Sequence, residues 1–150
     1  MAAVTETAIA KQLVCEALKA RERAYAPYSH YAVGAAVLTD SGKIYSGCNV
    51  ENASYGATIC AERCAITKAV SEGALRITAI AIVGGDAGIQ GELPEEAPPC
   101  GICRQVIREF SDPAECTVIL AKSQENYRRM LLEELLPLSF GPDHVLPVQA

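Results

Sequence analysis

Three cysteines and one glutamate have the types and spacing that a catalytic metal site needs. Cys100 and Cys103 lie three residues apart at the start of a predicted helix, so both thiols fall on one helical face. Cys60 would add a third sulfur, which leaves one position of a tetrahedral zinc ion open, as in catalytic sites. A Cys-x-x-Cys pair alone is equally compatible with a structural zinc knuckle, a redox pair or no metal.

The other four of the seven cysteines are the candidates for a fourth ligand that would close the site. Cys15 and Cys116 lie in apolar helix and strand patterns, where cysteine is commonly a small buried hydrophobe. Cys48 could in principle be the fourth ligand, and Cys64, four residues after Cys60, is the serious rival for a ligand role. An odd number of cysteines, with no secretory signal expected from residues 1–11, favours metal binding or catalysis over disulfides.

Glu62 separates a catalytic from a structural interpretation. A carboxylate beside an open metal position can take a proton from water and deliver it to a leaving group. A glutamate in the first turn of a helix is also favoured by the helix dipole alone. The side chains of residues i and i+2 on a regular helix point in different directions, so Cys60 and Glu62 can share a site only if Cys60 caps the helix. Arg63 and Arg104 either donate hydrogen bonds to the thiolates or are solvated surface residues.

The apolar periodicity of the sequence predicts the helices and strands that carry these residues. A hairpin followed by alternating helices and strands predicts an α/β fold, a single three-layer α/β/α domain with a central mixed sheet of about five strands. We expect one domain over residues 1–150, with a loosely ordered tail after about residue 143. The pattern predicts helices over residues 7–24, 59–71 and 100–110, strands over 31–38, 43–50, 77–83 and 116–121, a polar loop over 84–99, and one short strand and one short helix between 127 and 136.

Composition excludes several classes of function. Half of the residues are apolar and 21% are charged, as in an ordinary globular protein. No apolar stretch approaches the ~20 residues of a membrane helix, so we expect no membrane partner and a cytoplasmic location. The net charge is −5 and the basic residues are scattered, so we expect no polynucleotide partner, which would require clustered cations.

The combination of Cys60-Ala61-Glu62 with Pro99-Cys100-Gly101-Ile102-Cys103 resembles the signature of the zinc-dependent cytidine deaminases. The resemblance extends from the first helix to Phe140 and includes residues 28–35, 47–55 and 135–140. That combination is specific to the enzymes of free nucleosides, and the match is to their short three-cysteine type.

The resemblance implies a complete reaction. Cys60, Cys100 and Cys103 would hold one Zn²⁺ per chain, and Glu62 would shuttle protons. Hydroxide held by the zinc would attack C4 of free cytidine or deoxycytidine, giving uridine or deoxyuridine and ammonia, a reaction of pyrimidine salvage.

The resemblance also implies four substrate contacts within the chain. Asn49 and Glu51 match the pair that binds the sugar hydroxyls, and an amide with a carboxylate suits hydroxyls and would repel a phosphate. Two residues apart on a strand, their side chains emerge on the same face, although they could also be an ordinary polar strand end. The backbone of Ala61 would hydrogen-bond the base. Tyr31 would stack on the base; relatives commonly carry phenylalanine at this position.

Three further residues are implied to act between subunits. Ala53 and Tyr55 match positions that reach a neighbouring subunit's site, and Phe140 matches a ring that closes over the ligand from another subunit. The short three-cysteine members are homotetramers, which the resemblance implies here too. Tyr55 and Phe140 could equally be plain core or surface aromatic residues.

Three alternatives stay open. A deaminase of blasticidin is disfavoured by residues 49–52, where that enzyme departs from the pattern. An editing deaminase of single-stranded DNA or RNA would need a basic groove. A non-catalytic zinc module would need a closed four-ligand site and no Glu62. No role is assigned to Cys64, His30 or His144.

Overall fold

A computed structural model describes residues 6–147 as a twisted sheet with helices on both faces. The five strands lie in the order β2-β1-β3-β4-β5, and β3 and β4 are parallel while the other neighbours are antiparallel. The elements in chain order are α1 (Thr7–Arg21), β1 (Tyr31–Thr39), β2 (Ile44–Cys48), α2 (Ala61–Ser71), β3 (Ile77–Asp86), α3 (Gly101–Glu109), β4 (Thr117–Ala121), β5 (Tyr127–Leu131) and α4 (Leu132–Leu135), with short 3₁₀ turns at Tyr55–Ala57 and Pro142–His144.

Alternation along the central strands separates two apolar cores. On one face of the sheet, Ile80 and Ile82 of β3 pack with residues of α2 and α3. On the other face, Ala79, Ala81 and Val83 pack with α1. Because successive strand residues point to opposite faces, one continuous apolar strand serves both layers. The predicted three-layer α/β/α fold with a mixed five-stranded sheet is therefore confirmed.

The helix and strand boundaries follow the predictions to within two residues, apart from two larger differences. Helix α1 ends at Arg21, three residues before the predicted end. Strand β3 continues to Asp86, so the start of the predicted polar loop is wrong, because Gly84 and Gly85 remain paired with the first residues of β1. The strand and helix expected between residues 127 and 136 are both present, as β5 and α4.

Residues 1–5 and 148–150 lie outside the described residues, so a single domain over residues 1–150 with a loose tail stays a prediction. Up to residue 147, the tail contains the turn Pro142–His144, and Asp143 pairs with Arg108. Among the described helices, none has the length and apolar character that crossing a bilayer requires.

Helix α1 approaches β1 so closely that one position of β1 accepts only glycine. A Cβ on Gly34 would lie 1.9 Å from the carbonyl oxygen of Ala17 and 2.6 Å from the backbone nitrogen of Arg21. Arg21 also donates to the carbonyl oxygens of Ala32 and Gly85, at 3.0 and 3.1 Å. The end of α1 therefore fixes the start of β1, next to the candidate site.

Gly34→Ala is expected to destabilise the domain severely. Overpacking against side chains costs about 1–3 kcal/mol, and here the obstacle is helix backbone, which cannot rotate away. We expect a loss of about 3 kcal/mol or more in the free energy of unfolding, measured by urea denaturation. Gly56→Ala is the matched control, because a Cβ there meets nothing within 4 Å. Equal stability of the two variants would contradict this account of the contact.

Candidate active site

Two helix N-termini bring the three predicted sulfur ligands together. Cys60 is the N-cap of α2 and Cys100 is the N-cap of α3, each with extended backbone angles, and Cys103 lies in the first turn of α3. The three Sγ atoms lie within 4.8 Å of one another, and those of Cys60 and Cys100 are 3.9 Å apart. This is the arrangement in which three thiols can bind a single ion.

The sulfur cluster fits zinc by distance. With Zn–S bonds of about 2.3 Å and tetrahedral angles, neighbouring sulfurs lie about 3.8 Å apart, close to the separation of Cys60 and Cys100. Cys64 is not a member of the cluster, although the sequence left it as a rival ligand. All seven cysteines are free thiols, which leaves the three sulfurs available to a metal.

Arg63 provides a second observation in favour of a negatively charged cluster. Its Nη2 donates to the Sγ of Cys60 at 3.6 Å and to the carbonyl oxygen of Thr58 at 3.4 Å. Its Nε is buried without a hydrogen-bond partner, which is costly unless a nearby negative charge compensates. Three thiolates around a divalent cation carry a net formal charge of −1 and would supply that compensation.

The thiols perturb each other's ionisation. Hydrogen bonds from Cys103, and then from Arg63 and Cys100, lower the pKa of the Cys60 thiol to about 5. The contact with Cys60, together with burial, raises the pKa of Cys103. The protein groups alone therefore favour one shared thiolate, and a divalent cation would favour the thiolate form of all three.

Glu62 is buried beside this cluster. Because Cys60 caps α2 and stands outside the regular helix, Cys60 and Glu62 line the same cavity despite being two residues apart. Only 5% of Glu62 is exposed, and this burial raises the pKa of its carboxyl to about 7. A carboxyl group with that pKa can both accept and release a proton near neutral pH.

Arg104 does not act as the sequence suggested. Its Nε donates to the carbonyl oxygen of Pro99 at 2.8 Å and its Nη1 to that of Leu135 at 2.6 Å. The structure gives it no hydrogen bond to a sulfur within the described chain, so this prediction is corrected. The reason is local: the Arg104 side chain, one residue beyond Cys103, turns back to the carbonyl of Pro99, which precedes α3. Arg104 thereby ties the Cys100 segment to α4.

A cavity of about 360 Å³ joins the sulfur cluster to the predicted substrate residues. Its walls contain seven of the residues that the sequence singled out: Tyr31, Asn49, Glu51, Cys60, Ala61, Glu62 and Cys100. Cys103 is fully buried and is not among them. One concave site thus holds ligand sulfurs, a buried carboxyl group and a polar pair.

Five lining residues had no predicted role. Ser29 and Val33 flank Tyr31, Thr58 precedes the Cys60 segment, and Ala97 and Pro98 precede the Cys-x-x-Cys pair. Their sequence signal is proximity to predicted site residues, within three positions of one in each case. Nothing in their residue types distinguishes them from ordinary loop residues.

The polar pair is held by the backbone around it. Asn49 is buried; its Oδ1 accepts a hydrogen bond from the backbone of Val33 at 2.9 Å, and its Nδ2 donates to the carbonyl of Tyr31 at 2.8 Å. Glu51 accepts from the backbone nitrogens of Tyr28 and Ser29. Both side chains are therefore fixed before any ligand arrives.

Ala53, Tyr55 and Phe140 do not line this cavity. Ala53 is exposed, and the Tyr55 side chain is 75% exposed with its ring edge-on to that of Tyr28. Phe140 is 64% exposed and stacks on His144 with ring centroids 5.2 Å apart. Roles for these residues in substrate binding would require a second chain, and they stay predictions.

Comparison with known proteins gives a consistent result. Residues 7–120 match the family model described as the cytidine and deoxycytidylate deaminase zinc-binding region. The cytidine deaminase of Halalkalibacterium halodurans is 45% identical over 130 residues, which are 87% of this chain and 92% of the relative. The cytidine deaminase of Mycobacterium tuberculosis is 44% identical over 128 residues, 85% of this chain and 86% of the relative.

A solved structure agrees in fold as well. The crystal structure of cytidine deaminase from Burkholderia pseudomallei is similar with a TM-score of 0.76 and 44% identity, covering 86% of this chain and 97% of that one. The family match spans both helices that begin at the sulfur cluster. The chain therefore belongs to the family of cytidine and deoxycytidylate deaminases that share this zinc-binding region.

Proposed function

We propose that this protein is a zinc-dependent hydrolase that deaminates free cytidine and deoxycytidine to uridine and deoxyuridine, releasing ammonia, in pyrimidine salvage. One observation carries the proposal: the three-sulfur cluster, the buried Glu62 and the polar pair of Asn49 and Glu51 meet at a single cavity. Family membership and relatives named cytidine deaminases support the same reaction.

Cys60, Cys100 and Cys103 would hold the zinc ion. The metal would supply Lewis-acid chemistry, which makes water acidic enough to act as a nucleophile near neutral pH. Arg63 offsets the negative charge of the sulfurs through its hydrogen bond to Cys60. The N-termini of α2 and α3 act in the same direction, because their free N–H groups carry partial positive charge.

Glu62 transfers the protons of the reaction. Its carboxylate accepts a proton from the water that attacks C4 of the pyrimidine. The protonated carboxyl group then donates to the exocyclic nitrogen, so the C4–N bond breaks and ammonia leaves. The second proton of the added water passes from the C4 oxygen to N3, so water and cytidine become uridine and ammonia without a further reactant. Burial of Glu62 supports this role, since it raises the pKa of the carboxyl group to about 7, near neutral pH.

The remaining lining residues position a neutral nucleoside. Asn49 and Glu51 bind the sugar hydroxyls, and Tyr31 flanks the base. Ala61 is the first residue of α2, and backbone N–H groups in a first helical turn have no partner within the helix, so its backbone can hydrogen-bond the base. Glu51 would repel a phosphate, which favours nucleosides over nucleotides.

We also propose a cytoplasmic homotetramer whose sites are completed by neighbouring subunits through Ala53, Tyr55 and Phe140. Large apolar side chains are exposed around the segment that carries Glu51, namely Tyr25, Tyr28, Val50, Tyr55 and Ile59. Exposed apolar patches of this kind mark protein interfaces. Seven free thiols suit a reducing compartment.

Glu62→Gln is expected to retain about one zinc per chain while kcat for cytidine falls about 10²- to 10⁴-fold, because the amide cannot carry the proton. Turnover is followed by the loss of cytidine absorbance, and zinc is quantified in the same samples. The control is Glu72→Gln, at the exposed end of α2. A Glu62→Gln enzyme with normal kcat would refute the proton-transfer role, and wild-type protein without turnover would refute the proposed substrate.

Cys100→Ala is expected to lose most of its zinc and its activity, because a ligand sulfur is removed. Cys64→Ala tests the rival ligand and should keep about one zinc per chain with near-normal turnover. Both variants are purified without added metal and assayed by atomic absorption. Loss of zinc from Cys64→Ala alone, with Cys100→Ala unaffected, would reverse the ligand assignment.

Phe140→Ala is expected to raise the KM for cytidine about fivefold or more, because a ring contributed by a neighbouring subunit is lost. Leu138→Ala is the matched control, an exposed apolar residue two positions earlier. Sedimentation velocity establishes that each variant keeps the oligomeric state of the wild type. An unchanged KM in an intact oligomer would eliminate this role of Phe140.

A further inference from the structure

The turn before β1 folds around the carboxylate of Glu51. Oε1 of Glu51 accepts hydrogen bonds from the backbone nitrogens of Tyr28 and Ser29, at 2.9 and 3.1 Å. Oε2 accepts a hydrogen bond from the hydroxyl of Ser29 at 2.5 Å. The predicted sugar-binding carboxylate is therefore held at both oxygens by a single short segment of the chain.

This arrangement leaves little of the carboxylate for a ligand. An ionised carboxylate has about four acceptor positions, two on each oxygen. The turn uses both acceptor positions on Oε1 and one on Oε2. One acceptor position therefore remains, on Oε2, which also accepts the hydrogen bond from the Ser29 hydroxyl. The direction of that last acceptor depends on where the Ser29 hydroxyl sits.

Ser29 also connects this carboxylate to Tyr31. The backbone N–H of Tyr31 donates to Oγ of Ser29 at 3.0 Å. Since an N–H can only donate, the Ser29 oxygen must accept there, and its own proton is committed to Glu51. The result is a directional chain from the Tyr31 N–H through the Ser29 hydroxyl to Oε2 of Glu51.

The turn is constrained from its other side too. His30 has φ of 57°, in the left-handed region that non-glycine residues rarely adopt, and its carbonyl accepts from the backbone of Ala87 at 2.8 Å. Asn49 holds the Tyr31 carbonyl from the opposite direction. A backbone held in this uncommon conformation indicates that the surrounding contacts determine the turn closely.

We infer that Ser29 is a positioning residue for sugar recognition: its hydroxyl orients the single free acceptor of Glu51 and ties it to the backbone of Tyr31. The inference rests on the proposed function, because Glu51 and Tyr31 are there the sugar and base contacts. Hydrogen bonding from the Ser29 hydroxyl is also the largest cause that lowers the pKa of Glu51, which keeps this carboxyl group ionised.

The inference separates Ser29 from the chemical step. Ser29 touches neither the sulfur cluster nor Glu62 through any hydrogen bond that the described chain shows. Its loss should weaken the binding of substrates that carry the recognised sugar hydroxyl and leave the rate of bond breaking nearly unchanged. A residue that merely stabilised the fold would affect all substrates alike.

The test compares Ser29→Ala with Ser29→Thr, using cytidine and 2′,3′-dideoxycytidine, which lacks the 2′- and 3′-hydroxyls of the sugar. We expect Ser29→Ala to raise the KM for cytidine about 5- to 20-fold, as for loss of a hydrogen bond to a charged group. Its kcat should change less than about threefold. Ser29→Thr, which keeps a hydroxyl, should restore the KM to within about twofold. With dideoxycytidine, Ser29→Ala and wild type should have the same KM.

Matched controls make each outcome decisive. Ser46→Ala removes a serine hydroxyl from β2, outside the cavity walls, and should leave both substrates unaffected. Ser29→Gly removes the same hydroxyl and is used if Ser29→Ala fails to fold. Equal KM changes for both substrates, or none for cytidine, would overturn the inference while the proposed function stands. Wild-type protein inactive on both substrates would overturn the two together.

Discussion

The site depends on the convergence of two helix N-termini at one point. Cys60 and Cys100 cap α2 and α3 in extended conformations, so each sulfur leaves its helix at the end where free N–H groups point outward. Those N–H groups lower the cost of gathering thiolates within 4.8 Å of one another. Both helices pack on the same face of the sheet, so the apolar core fixes the distance between the two ends.

The same capping geometry explains how one short motif serves two functions. Within Cys60-Ala61-Glu62, the first residue stands outside the helix and the third lies inside it, so sulfur and carboxyl group share one cavity. In a continuous helix they would point in different directions. Burial of Glu62 then follows from the packing of α2 on the sheet, and that burial is the largest cause of the raised pKa of its carboxyl group.

Sequence reasoning predicted the parts of the structure that residue types encode directly. Strand β3 reads as a continuous apolar run because both its faces are buried, and the spacing of Cys100 and Cys103 shows which thiols can converge. The contacts of Arg104 and Ser29 were not predictable in this way. Each depends on which backbone groups the fold brings within reach, and an arginine near cysteines or a serine in a turn has many such partners.

The charges around the cavity argue for a neutral substrate. Glu51 is held ionised by the turn that surrounds it, and the sulfurs add negative charge nearby. Within the cavity walls that the structure describes, no lysine, arginine or histidine side chain is present. Arg63, a cation beside the sulfur cluster, is directed at Cys60 and the carbonyl of Thr58 and so compensates charge within the protein. A phosphate would find no counter-charge here, whereas sugar hydroxyls can donate to the one acceptor that Glu51 keeps free.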